Sequence, residues 1–442
     1  MNYDRAKQIF TEALKLAPED RGANLDEQCG EDRELRVQVE ALLDHHSTVK
    51  DPPEKPTEQP IPGEYQRGDT VGPFTIRERV GGGGMGTVYL ASQTSPVRRQ
   101  VALKVIKPGF DTRNTLARFQ AEQQALAMMD HPGIAKVLEA GATESGRPWF
   151  AMEYIRGEQL NTYCDNNKLD TRQRLELFIK ICEAVQHAHQ KGIMHRDLKP
   201  SNILVMRDEH DDHHPKVIDF GIAKAVSSTL SDMSLHTNIG QPVGTLPYMS
   251  PEQVRGLQDI DTRTDVYTLG VILYELIVGK PPFAEDTTSH TGQEALKHAI
   301  REVDPPKPST QLSSIEVDKA TAIATARRTD TDALRHTLRR ELEWIPLKAL
   351  HKDRRDRYSS PEALARDVQR YLDGDALEAG PITRTYRFKK FLKRNKGSVA
   401  TSASFLVVLI SAMVVSLVFW VQAVRNAADL VIANEELKRT KD

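Results

Sequence analysis

Cysteine is scarce in this chain of 442 residues: Cys29, Cys164 and Cys182 are scattered, odd in number and never arranged as CxxC. That excludes a disulfide framework and a cysteine-based zinc site, and it reads as reduced thiols in a cytosolic domain. An excess of charge of either sign is also missing. Lys and Arg total 60 against 62 Asp and Glu, a formal net charge of −2, so bulk electrostatics argue against a nucleic-acid binder. The N-terminus, MNYDRAKQIF, is charged at once and has no apolar core, so no secretory signal is expected. The length leaves room for two or three units.

What the chain does have is a concentrated set of polar groups between Ile193 and Gly221, which reads IMHRDLKPSNILV, a short polar spacer, then KVIDFG. Asp197, Lys199, Asn202 and Asp219 place two carboxylates, an ammonium and an amide in a fixed order. Strand-like apolar runs, Ile203 to Val205 and Lys216 to Ile218, stand behind them and would hold those groups at a common cleft. Phosphoryl transfer needs such a set: a carboxylate to orient a hydroxyl, an amide and a carboxylate for a metal ion, and a cation for the moving phosphate. Upstream, a strand over Phe74 to Ile76 and then Val80 lead into Gly81, Gly82, Gly83, Gly84, Met85, Gly86, Thr87 and Val88. Gly81, Gly83, Gly86 and Val88 make GxGxxGxV, where the absence of a β-carbon lets backbone approach phosphates. Val101 to Lys104 follows as a strand carrying a lysine.

In this order and spacing the motifs resemble the protein kinase family over roughly residues 70–373. The resemblance implies an α+β, two-lobed protein kinase fold, with a small β-rich N-lobe (70–152) and a large helical C-lobe (157–373). It implies ATP as the phosphoryl donor and Mg²⁺, or Mn²⁺ in its place, as the ion. By resemblance Asp197 orients the substrate hydroxyl, Lys199 stabilises the γ-phosphate, and Asn202 and Asp219 hold the metal. Lys104 meets the α- and β-phosphates and pairs with Glu122, with Leu126 packed beneath. The stretch from Val80 to Val88 covers the phosphates, and backbone around Glu153 to Ile155 bonds adenine. DLKPSN is the serine/threonine form of the catalytic loop. Residues 222–249 are the activation segment, with Ser227, Ser228, Thr229, Ser231, Ser234 and Thr237 as candidate phosphorylation sites. Arg196 is available to a phosphate there, and Thr245 contacts Asp197 and Lys199. Ser250 replaces the Ala of APE, Glu252 pairs with Arg357, and Asp265 holds the catalytic-loop backbone.

The flanks have other chemistry. Residues 1–46 show helical spacing at Ala6, Ile9, Phe10, Ala13 and Leu14, and again at Leu35, Val39, Leu42 and Leu43, as expected of a small accessory helical region. Residues 47–68 are a Pro-rich linker. A polar insertion at 285–340 resembles the enlarged lower lobe of planctomycete-type kinases, and packing is favoured over partner docking. The histidines and carboxylates of residues 207–214 read as a solvated hairpin turn more readily than as a metal site. A basic juxtamembrane segment (374–397), with Arg387, Lys390 and Arg394 among its cations, precedes a charge-free run from Val399 to Val421. At 1.5 Å per residue that run spans about 35 Å, enough for a bilayer core of about 30 Å. A transmembrane helix (398–421) and a short extracytoplasmic tail (422–442) are therefore expected. The basic cluster puts the kinase on the cytoplasmic side of the inner (plasma) membrane, against anionic membrane lipids.

The expectation is a membrane-anchored serine/threonine protein kinase of bacterial, planctomycete-like type that autophosphorylates and modifies Ser/Thr of protein substrates in signal transduction. No nucleic acid is expected as a partner, and a homodimer is compatible with the reading. Two rivals are weighed. A membrane-anchored pseudokinase scaffold predicts loss of Lys104, Asp197, Asn202 or Asp219, all of which are present. A small-molecule phosphotransferase has no need of an activation segment complete through Glu252.

Overall fold

Period-two alternation of apolar residues builds the first part of the fold. The computed structural model describes residues 64–82, 86–107, 129–209, 212–220, 246–257, 259–283, 290–381 and 383–439, with 9, 13, 24, 25, 28–30, 32, 35, 36 and 39. Residues Met1–Glu64 and Tyr65–Asp442 are two separate units. In the first, Ile9, Leu25, Cys29, Leu35 and Val39 are buried together. The Asp32 carboxylate accepts from the Leu35 amide at 3.1 Å, as a helix N-cap does. Ala6, Phe10, Leu14, Leu42, Leu43 and the linker through residue 63 lie outside the described residues.

The linker, expected to reach residue 68, ends sooner. The Tyr65 amide donates to the Tyr89 hydroxyl at 3.1 Å, the two rings meet edge-on, and the Gly68 amide donates to the Ile76 carbonyl. One aromatic anchor is enough to tie this stretch to the sheet.

That sheet is antiparallel and six-stranded: β1 (Thr70–Val71), β2 (Phe74–Gly82), β3 (Gly86–Gln93), β4 (Arg99–Ile106), β5 (Val137–Ala142) and β6 (Pro148–Glu153), in the order β1-β2-β3-β4-β6-β5. Val101, Leu103 and Val105 of β4 join Phe74, Ile76, Tyr89 and Trp149 in one core. Alternation turns Ala102 and Lys104 to the opposite face, where Phe150 and Met152 of β6 already belong to the larger core of the second lobe.

That lobe is helical. After β7 (Glu158–Gln159) come α1 (Leu160–Asn166) and α2 (Thr171–Gln190), then the strands β8 (Ile203–Arg207) and β9 (His213–Val217), which form a small sheet ordered β7-β8-β9. Asp170 and Gln173 form a reciprocal capping box at the start of α2. There follow α3 (Pro251–Val254), α4 (Arg263–Val278), α5 (His290–Glu302), α6 (Pro308–Ser313), α7 (Val317–Thr325), α8 (Thr331–Thr337), α9 (Trp344–Ala349) and α10 (Pro361–Asp373). Helix α4 is buried on almost every side. A β-carbon on its Gly270 would lie 2.7 Å from the Ala349 β-carbon, so α4 and α9 approach only because that position is glycine. Within the polar insertion, Leu312, Ala320, Ala324, Leu334 and Leu338 are buried in the lobe core.

Beyond Gly374, whose left-handed φ of 75° stops α10, stand α11 (Arg384–Arg394) and α12 (Lys396–Arg439). Helix α12 was expected to end near Val421 with a separate tail, but it continues without a break because no Pro or Gly follows Gly397 before Arg439.

Candidate active site

Strand register assembles one wall of the cleft. Gly81 pairs with Val88, Val88 with Lys104, and Lys104 with Phe150 across β2, β3, β4 and β6. Directly opposed residues point to one face of a sheet, so this row lines the side turned toward the helical lobe. Val80 is exposed, Gly81 and Gly82 end β2, and Gly86 opens β3. A β-carbon on Gly86 would sit 2.7 Å from the Val105 carbonyl oxygen, so a side chain there would force the hairpin off β4. Gly83, Gly84 and Met85, between β2 and β3 in the chain, lie outside the described residues.

The opposite wall comes from loops at strand ends. The His195 and Arg196 amides donate to the two oxygens of Asp265, at 2.8 and 2.9 Å. His189, in the last turn of α2, meets the same carboxylate at 2.7 Å. Asp265 is fully buried. Burial alone would raise its carboxyl, but the His189 bond and the amides it accepts hold it below the usual range. The buried His195 ring has its basicity lowered by desolvation, against the pull of Asp265 and Asp197. Its Nε2–H donates to the Ile218 carbonyl at 3.0 Å, and its Nδ1 accepts from the Asp197 amide at 3.3 Å. One neutral tautomer satisfies both bonds. His195 thereby ties the turn carrying Asp197 to the turn carrying Asp219.

Around that tie, the Lys199 ammonium lies 3.0 Å from Asp197 Oδ2. The Asn202 amide nitrogen donates to the Asp197 carbonyl at 2.8 Å, which leaves its oxygen at the opposite end of the side chain. Lys104 Nζ reaches Asp219 Oδ2 at 2.9 Å, with both side chains mostly shielded from solvent. The other oxygen, Asp219 Oδ1, is buried with no hydrogen-bond partner among the described residues. A buried carboxylate oxygen with no such partner suits a hard divalent cation, which takes oxygen ligands. Arg196 and Asp219 both have φ of 60°, a left-handed conformation that costs a non-glycine residue about 1–2 kcal/mol and that clusters at functional sites.

Glu122, the expected partner of Lys104, lies outside the described residues; among those residues the ammonium pairs with Asp219. The activation segment through Thr245 is likewise outside them. Of the stretch expected to bond adenine, Ile155 is buried and Glu153 half-buried. The Glu153 amide donates to the Lys136 carbonyl and its carboxylate grips the Lys216 ammonium at 2.7 and 2.8 Å. Among the described residues, Tyr154 to Gly157 make no backbone–backbone hydrogen bond, so their amides and carbonyls are available to a planar ligand. Glu252 and Arg357 form the expected pair, bidentate at 2.8 and 2.9 Å and buried, with Thr264 donating to the same carboxylate at 2.7 Å. His189, Lys216 and Gln253, which donates to the Arg196 carbonyl, were not singled out from sequence. Their partners lie 57 to 76 positions away, beyond any local pattern.

Residues 74–368 match the family described as protein kinase domain. The chain belongs to the protein kinase family. Its curated relatives include the serine/threonine-protein kinase pkn3 of Myxococcus xanthus, 35% identical over 298 residues, covering 67% of this chain and 49% of the relative. The serine/threonine-protein kinase PrkC of Bacillus subtilis is 34% identical over 317 residues, covering 71% and 42%. PknB of Mycolicibacterium smegmatis is 32% identical over 314 residues, covering 70% and 44%. The chain thus spans about half or less of the length of these relatives. The solved PknI kinase domain of Mycobacterium tuberculosis overlays with a TM-score of 0.48 at 24% identity, covering 69% of this chain and 99% of that one. The family match over residues 74–368 accords with the kinase fold described above, a β-rich N-lobe and a helical C-lobe, and the family uses ATP with divalent metal ions.

Proposed function

We propose that this chain is a serine/threonine protein kinase that transfers the ATP γ-phosphoryl group to Ser/Thr hydroxyls of proteins, itself among them, in bacterial signalling. One observation carries the reading: Lys104 meets Asp219, Lys199 and Asn202 meet Asp197, and His195 ties the two turns together, with Asp219 Oδ1 lacking a hydrogen-bond partner among the described residues. Asn202 and Asp219 would hold Mg²⁺, which when bound neutralises phosphate charge. Asp197 accepts the hydroxyl hydrogen and aims the oxygen, while Lys199 supplies positive charge beside it. Lys104 positions the nucleotide phosphates under Gly81 to Gly86. Because little covalent chemistry falls to the protein, positioning and electrostatics supply the catalysis.

The chain is further proposed to be anchored by α12 in a cytoplasmic membrane, its kinase domain on the inner side. Within Thr401–Ile432 an 18-residue stretch has a mean hydropathy of 2.6, and none of that stretch is buried. Phe405, Met413, Phe419 and Trp420 stand more than 60% exposed, a surface that lipid covers and water does not. The basic helix α11 just before it suits anionic headgroups.

The test is transfer from labelled ATP to the protein itself and to a generic basic protein, comparing wild type with Asp197→Ala and Lys104→Met. Label on serine and threonine that disappears in both variants is the expected result. Undiminished incorporation in both would reject the site.

A further inference from the structure

The sheet of the N-lobe holds a second polar cavity away from the cleft. It has a volume of about 590 Å³ and is lined by four arginines: Arg67 from the chain before β1, Arg77 from β2, Arg98 from the turn before β4, and Arg99 from the first position of β4. At ~3.3 Å per residue along β4, Arg99 lies about 17 Å from Lys104. This cavity is therefore separate from the nucleotide site.

Two of the guanidiniums are held from behind. Arg77 Nε donates to Ser92 Oγ at 2.9 Å, and Arg99 Nε donates to Gln93 Oε1 at 2.7 Å. Each bond uses the Nε edge, and among the described residues the terminal fork of donors makes no other hydrogen bond. Among the described residues none of the four arginines pairs with a carboxylate, and Glu78 is the single acidic side chain on the lining. Four like charges around one hollow repel each other, and a dianion placed between them reverses the sign of that energy. Arginine forks match the planar oxygen pairs of a phosphate, and such bidentate contacts are among the stronger hydrogen bonds available. The volume equals that of about twenty waters. It therefore has room for a phosphate together with the residues on either side of it.

We propose that this cavity is a docking site for a phosphoserine- or phosphothreonine-bearing polypeptide. The assignment of the peptide rests on the kinase reading, which makes such segments the product of the reaction next door. Docking through a product phosphate holds a multiply modified substrate near the cleft for its next transfer, and raises the local concentration of unmodified hydroxyls.

The experiment measures anisotropy of a fluorescein-labelled peptide carrying one phosphothreonine, titrated with the full chain in nanodiscs without ATP. The unphosphorylated peptide, inorganic phosphate and Mg-ATP serve as comparison and competitors. The expected result is at least about tenfold tighter binding of the phosphopeptide, lost in Arg77→Ala/Arg99→Ala and strengthened in Glu78→Gln. Mg-ATP at saturation at the Lys104 site should leave the peptide bound, and the double variant should retain the thermal midpoint of the wild type, since these side chains are not in the core. Equal affinity for the two peptides, or unchanged affinity in the double variant, would overturn the proposal. So would displacement by inorganic phosphate at equimolar concentration, which marks a free-phosphate site, or by Mg-ATP, which marks a nucleotide site. No phosphoryl transfer enters the readout, so a chain inactive as a kinase leaves the answer legible.

Discussion

Asp197 keeps its carboxylate between Lys199 and Asn202, and neither contact needs the acceptor to be present. Replacing it by Asn preserves shape and removes the charge proposed to aim the hydroxyl. Asp197→Asn should lower single-turnover transfer by about 10²- to 10⁴-fold while nucleotide affinity, read by fluorescence titration, stays within twofold of wild type (~2, within 0.4 kcal/mol). A second residue predicts a pH effect. Glu275 on α4 accepts from the Tyr248 hydroxyl at 2.7 Å. Burial raises its carboxyl from 4.5 to about 7, opposed by the bonds from Tyr248 and Asn161. Because the folded value lies above the unfolded one, the neutral carboxyl's contribution is fully present below 4.5 and is lost as pH rises through about 7. Thermal midpoints followed from pH 5 to 8 should fall for the wild type and fall less for Glu275→Gln; parallel curves would remove Glu275 from the account.

At the scale of elements, the catalytic turns stay in place because buried charges are paired across the lobe. Arg357 and Glu252 join the loop before α10 to α3, more than a hundred positions apart. Removing one partner strands the other charge in the core, so Arg357→Ala should cost about 3–5 kcal/mol in urea unfolding; a loss under ~1 kcal/mol would place the pair in solvent instead. Gly270→Val should separate α4 from α9 and destabilise by about 1–3 kcal/mol, given the 2.7 Å approach to Ala349. This pairing was legible in the sequence because Glu252 and Arg357 sit in recognisable local motifs, Tyr-Met-Ser-Pro-Glu and Asp-Arg-Arg-Asp-Arg-Tyr. The His189–Asp265 bond was not, since a histidine late in an amphipathic helix looks like any other solvated or core residue until α4 is laid against it. The same applies to Lys216 and Glu153, which meet only where β9 passes the end of β6.

For the whole molecule, the open matter is where α12 lies. A helix of 44 residues with an exposed apolar surface from Thr401 to Ile432 is insoluble as a free rod. The full chain expressed in a bacterium should sediment with membranes and resist high-salt extraction, and a chain stopped after Gly397 should be soluble. A soluble full chain would end the anchoring proposal. Protease added to intact cells should leave the kinase domain uncut. In the basic segment, Lys390 pairs with Glu341 of the catalytic lobe at 2.5 Å and Arg394 with Asp375 of the segment itself, so part of its positive charge already has carboxylate partners. Local order of residues was enough to indicate the family of this protein, through glycines, a lysine strand, Asp197, Asn202 and Asp219 at fixed separations, and to mark one long apolar run, because each depends on covalent spacing or on composition. Which side chains meet was decided by the tertiary structure alone. Lys104 reaches Asp219, His189 braces Asp265, and four arginines ring a hollow on the sheet, since such encounters depend on how distant strands and helices pack and no short stretch of chain encodes them.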